Sequence, residues 1–128
     1  MSSHLIALAC ALVFNATANL LLKFAARDLT GGGNLLSGGV TNALRTAATC
    51  PKLIFGLLFF ALNVPLYFYA LGKFKVSLAY PVMIGGGFAI IVLIASFSGL
   101  NERLSASQWL GVVLILLGVT IVSSQLTK

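Results

Sequence analysis

Apolar residues fill four long stretches of this chain, separated by short polar punctuation. The first covers residues 5–22 and is interrupted by Asn15, Thr17 and Asn19. The second covers 53–71 and holds Asn63 and Pro65. The third, 76–99, contains Pro81 and the triplet Gly85, Gly86, Gly87, and the fourth, 109–122, is extended by small residues on both sides. A helix of about 18 residues rises about 27 Å, close to a hydrocarbon thickness of about 30 Å. Lipid offers backbone groups no partners, so such runs satisfy their own hydrogen bonds as helices rather than strands. The pattern predicts helices over about 4–24, 52–72, 76–99 and 105–125 in one domain spanning 1–128. The expected fold class is an all-α membrane protein with four transmembrane helices.

The connections are uneven. Residues 72–75 join helices two and three, and about 100–107 join three and four; neither holds a domain. The first loop, 25–51, carries Gly31-Gly32-Gly33 and Gly38-Gly39 and has room for a short interfacial helix over 40–49. No Lys-Ser/Thr pair follows these glycines, so a linker fits better than a phosphate-cradling loop. Ala16-Thr17-Ala18 mimics a signal-peptide cleavage site, but no lysine or arginine precedes the run and Leu20 to Leu22 continue it. Retention is expected. The Asn15-Ala16-Thr17 sequon lies inside a span, where no glycan is expected.

Composition sharpens the membrane reading. Hydrophobic residues make up 59% of the chain, against eight basic and two acidic side chains. A soluble domain carries charge on about a quarter of its residues, so a very apolar soluble bundle is the weaker alternative. The net charge of +6 does not point to nucleic acid, because the basic residues form no patch. They flank the apolar runs, where lysine and arginine meet headgroups. Lys23, Arg27, Arg45, Lys52 and Arg103 lie in odd-numbered loops; Lys73, Lys75, Lys128 and the amino terminus lie opposite. So weak a bias permits odd loops in the cytoplasm or insertion both ways. Cys10 and Cys50, in different settings, are expected to be unpaired.

Polar residues inside spans are the first candidates for a site. Asn15 and Asn19 share a helical face, with Lys23 one turn further on. They form either a polar stripe along a pathway or interhelical glue, and Lys23 is read first as a headgroup anchor. Pro81 and the glycines Gly85, Gly86 and Gly87 predict a bend or hinge in helix three, close helix packing being the other reading. Tyr80 and Met83 stand near that bend and offer amphipathic and adaptable cavity surface. Tyr67 and Tyr69 read as wall or interfacial aromatics. Gly111 and Gly118, seven apart, place a smooth stripe on helix four that admits another helix, including one from a second subunit. Ser105 or Ser107 is placed to cap helix four, Glu102 reads as a structural interfacial carboxylate, and His4 is expected to be solvated. No nucleophile–base pair, acid pair or metal cluster is visible, so no enzyme, no metal and no cofactor is expected.

The segments Leu66-Tyr67-Phe68-Tyr69-Ala70-Leu71, Ser77-Leu78-Ala79-Tyr80-Pro81, Asn101-Glu102-Arg103-Leu104-Ser105 and Gln108-Trp109-Leu110-Gly111 resemble the drug/metabolite transporter superfamily. The chain looks like a single EamA-type four-helix unit of the size of a small multidrug resistance protein. That family carries an essential membrane glutamate eight residues before a helix-one lysine; here the lysine is Lys23 and the matching position is Asn15. The resemblance places Tyr80, Met83, Gly85 and Gly87 at pocket and bend positions, and Gly111 and Gly118 on a dimer seam. Ala18-Asn19-Leu20-Leu21-Leu22-Lys23 and Ala79-Tyr80-Pro81 are similar to the branch whose small subunits flip aminoarabinose-linked undecaprenyl phosphate.

The resemblance implies a bacterial inner-membrane transporter that moves a lipid-linked sugar or another amphiphile by alternating access. Its expected partners are membrane lipids and either a second copy in an antiparallel homodimer or a related small subunit. Asn15, Asn19 and Asn63 are the expected hydrogen-bonding residues for the headgroup, with Lys23 attracting a phosphate. The alternatives are a cationic drug or metabolite exporter and a non-transporting subunit of a larger complex.

Overall fold

The computed structural model describes residues 3–31, 38–97 and 104–125. Among them lie five helices and no strand: α1 Ser3–Thr30, α2 Gly39–Ala48, α3 Pro51–Leu71, α4 Val76–Phe97 and α5 Ala106–Ser123. Helices α1, α3, α4 and α5 are long and apolar enough to cross a membrane. The fold is that of an all-α, multi-pass membrane protein.

Helix boundaries depart from the expected ones where charge misled. α1 runs well past 24, because residues 23–30 contain no glycine or proline to stop it. Ala25 is fully buried, and the Lys52 ammonium donates to the Asp28 carboxylate at 2.6 Å, tying the α1 extension to the start of α3. Lys52 also stands 6.0 Å from the centre of the Phe24 ring. The loop therefore begins after Thr30, and Gly31 closes the helix by donating to the Arg27 carbonyl. Gly39, whose φ of 83° suits glycine, opens the short helix α2. Its Val40 and Leu44, four residues apart, are both exposed. α5 starts at a capping box in which Ser105 and Gln108 satisfy each other's backbone donors. The expected span end at 98–99 and the residues Gly32, Gly33, Glu102, Arg103 and Lys128 lie outside the described residues.

α1 is the organising helix. It packs along α3 on one side and α4 on the other, while α3 and α4 barely touch and α5 leans on α4. The α1–α3 contact is built from two stripes of small residues at sevenfold spacing. Ala11, Ala18 and Ala25 on α1 are fully buried, and Gly56, Asn63 and Ala70 are the buried residues of α3. Seven residues make nearly two turns, so each stripe stays on the seam between two helices. A methyl group on Gly56 would sit 3.1 Å from Leu22 Cδ2 and 3.3 Å from the Ala18 carbonyl oxygen. Phe14 and Phe59 meet edge to face at 5.2 Å, which fixes the antiparallel register.

The glycine triplet of α4 serves two neighbours at once. A methyl group on Gly85 would collide with Val119 of α5, and one on Gly86 with Leu12 of α1. On Gly87 it would lie 3.3 Å from Asn15 Nδ2. α4 is helical throughout this stretch and through Pro81, as α3 is through Pro65. Each proline frees the carbonyl four residues earlier, of Ala61 and Ser77 respectively.

Candidate functional site

Among the described residues, two polar side chains, Asn15 and Asn63, are buried. Asn63 lies about 18 Å along α3 from its first residue, and Asn15 about 18 Å along α1. Both therefore sit near the middle of their spans. Asn63 occupies the centre of the small-residue stripe facing α1, where its Oδ1 is buried with no hydrogen-bond partner. One turn on, the Tyr67 hydroxyl is also buried and unpartnered, although its ring packs against the apolar cluster of Ala7, Leu8, Ala11, Ala70, Ala79 and Met83. An unsatisfied buried polar group costs about 1–3 kcal/mol, and a membrane interior offers no bulk water to relieve it. Two such groups one helical turn apart form a ready receptor for a ligand that both donates and accepts hydrogen bonds.

The other sequence candidates are distributed around this pair. Met83 belongs to the same buried cluster. Tyr80, one turn before it on α4, is half-exposed. Asn15 turns toward α4, with its amide against Gly87. Asn19 is part-buried and donates to the Asn15 carbonyl oxygen at 2.8 Å, so its amide folds back on its own helix. Lys23 is exposed and about 12 Å along α1 from Asn15. Pro81 is half-buried in the second turn of α4. Among the described residues, nothing lies within 4 Å of a methyl group added to Gly111 or Gly118. The structure thus gathers Asn63, Tyr67 and Met83, sets Asn15 on the neighbouring face of α1, and leaves Lys23 and the α5 glycines apart.

Two features escape a reading of the sequence alone. Tyr67 is marked by its position four residues after Asn63, a spacing that stacks both on one helical face. His4, expected to be solvated, is instead packed: its ring stacks on Tyr69 at 4.5 Å and its Nδ1 meets the Tyr69 carbonyl oxygen at 3.0 Å. That correction follows from the length of α1, which starts at Ser3 and brings His4 beside the last turn of α3. Among the described residues no three His, Cys, Asp or Glu side chains form a metal-binding group, and Cys10 and Cys50 are free thiols.

The chain is 35% identical over 101 residues to the uncharacterized protein y4nH of Sinorhizobium fredii (strain NBRC 101917 / NGR234), covering 79% of this chain and 78% of that protein. No family model matches it, and no solved structure does.

Proposed function

We propose that this chain, which belongs to the protein family of y4nH from Sinorhizobium fredii, is a small membrane transporter of the drug/metabolite type. Its substrate is a lipid-linked sugar or another amphiphile with a polar, uncharged or anionic headgroup. One observation carries this reading: the buried Asn63 Oδ1 and Tyr67 hydroxyl lack partners at the seam of α1 and α3. An acceptor and a hydroxyl at that depth suit a sugar, whose hydroxyls donate and accept in turn. The apolar exterior leaves the lipid tail in the bilayer while the headgroup crosses.

Three further features support the reading. The acidic residues of the chain are Asp28, which is paired with Lys52 at the end of α1, and Glu102. A cation exchanged against protons needs a titrating group inside the spans, which favours an amphiphile over a cationic drug. The near-absence of contact between α3 and α4 gives the bundle a place to part, with the glycines Gly85 to Gly87 as its hinge. The open glycines Gly111 and Gly118 suit a second α5, in an antiparallel homodimer or a heterodimer with a related small subunit. Lys23 then draws a phosphate toward the membrane edge of α1, and movement follows the substrate's own gradient.

The test is lipid flipping in proteoliposomes, read by chemical quenching of a headgroup fluorophore on a polyprenyl-phosphate sugar. Protein-dependent loss of the inner-leaflet signal, slowed about tenfold or more by Asn63→Leu, is the expected result. Equal signal in protein-free and protein-containing vesicles would sink the proposal.

A further inference from the structure

The end of the bundle that holds the start of α1 and the 72–75 turn differs chemically from the other end. Both acidic residues of the chain, Asp28 and Glu102, belong in sequence to the opposite side. Lys73 and Lys75 are exposed here, and among the described residues neither meets a carboxylate. A cleft of about 610 Å³ is lined by His4, Pro65, Phe68, Tyr69, Leu71 and Gly72, and Lys73 follows its last lining residue in the chain. Phe68 is 77% exposed, so this wall of α3 faces outward, away from the seam with α1. From Pro65 to Leu71 the cleft runs along about 9 Å of helix, the depth of a headgroup and the first carbons of an acyl chain.

The rim is fixed by a small set of contacts. The Tyr69 carbonyl can only accept, so His4 donates to it through Nδ1–H and keeps Nε2 as its second ring nitrogen. Ser3 Oγ and the Tyr69 hydroxyl are 3.1 Å apart and hold the ring from its far end. Gly72 belongs to the floor, where a methyl group would sit 3.2 Å from the Tyr69 carbonyl oxygen and 3.9 Å from His4 Cε1.

We infer that this cleft is a binding site for an anionic phospholipid of the surrounding bilayer, with acyl carbons on Pro65, Phe68 and Leu71 and the phosphate at Lys73 and Lys75. The walls are apolar where the acyl chain lies, and among the described residues no acid competes with the lysines. The site is separate from Asn63 and Tyr67. It holds whether or not the protein transports, because lipid association is measured at equilibrium.

The experiment uses the full chain in nanodiscs carrying photoactivatable phosphatidylglycerol or phosphatidylcholine, with crosslinks mapped by peptide mass spectrometry. Crosslinks within 65–72 should form about thirtyfold more with phosphatidylglycerol, the combined preference of two surface lysines for an anionic lipid. Lys73→Gln with Lys75→Gln should bring the two lipids to parity, and Gly72→Leu should suppress both by filling the cleft. Helical content measured by circular dichroism separates these effects from misfolding. Equal labelling by the two lipids, labelling spread over all spans, or labelling within 65–72 of a second copy instead of lipid would overturn the inference.

Discussion

α1 and α5 are both apolar enough to cross a membrane, yet the chain uses them in opposite ways. Within its apolar stretch, 33% of α1 is buried by the rest of the chain, against 6% of α5. α1 achieves this with alanines: Ala11, Ala18 and Ala25 are fully buried and let α3 approach until even a methyl group on Gly56 has little room. α5 buries Val112 and reaches Gly85 through Val119, while Leu114, Gly118 and Ile121 look outward. Lipid tails are as apolar as leucine, so hydrophobicity says nothing about which face of a span is covered. Small residues and unpaired polar atoms do. By that criterion the α1–α3 seam is complete within one chain except at Asn63 and Tyr67, and the surface of α5 is finished by lipid or another subunit.

Breaking the seam should have the largest effect. Gly56→Leu forces α1 and α3 apart and is expected to lower stability by about 3 kcal/mol, at the upper end of overpacking costs. Thermal unfolding in mild detergent reads the loss. Asn63→Leu tests the same seam in the other direction. Replacing an unpartnered buried amide by an apolar side chain of similar size should raise stability by about 1 kcal/mol. Lipid flipping should fall about tenfold or more in the same variant, the equivalent of one lost hydrogen bond to substrate. A variant that is both less stable and equally active would make Asn63 a structural residue.

On α5 the contrast predicts silence in one assay and a change in another. Gly111→Leu with Gly118→Leu meets no neighbour among the described residues, so monomer stability should move by no more than about 0.5 kcal/mol. Crosslinking between subunits should drop sharply if α5 is the dimer seam. The smallest effect belongs to Asp28→Asn. Its ion pair with Lys52 is half-exposed on both sides, and such pairs are worth under about 1 kcal/mol. A melting shift of a degree or two, erased by high salt, is the expected outcome.

Much of this architecture is legible in the residues. The four spans follow from the demand that lipid places on backbone hydrogen bonds, and a cap at Ser105 from its place before an apolar run. The extension of α1 to Thr30 is not legible, because a turn carrying Lys23, Arg27 and Asp28 reads as loop until Lys52 is seen beside it. The packing stripes were present as sevenfold repeats of small residues, but in helices apolar all round, such spacing gives little contrast. Which neighbour an asparagine faces is a tertiary fact. Asn15 meets α4 and Asn63 meets α1, and neither the Asn15–Asn19 pair nor the single amide of the second run says which helix it faces. His4 shows the same limit, since its stacking on Tyr69 joins residues 65 positions apart.

The most direct measurement is isotope-edited infrared spectroscopy of the Asn63 side-chain carbonyl in nanodiscs, assigned by its disappearance in Asn63→Leu. The band should begin at the frequency of an unbonded amide and move lower when a polyprenyl-phosphate sugar is added. A band that stays in place with every amphiphile offered, while the protein remains folded, would contradict a headgroup site at the α1–α3 seam.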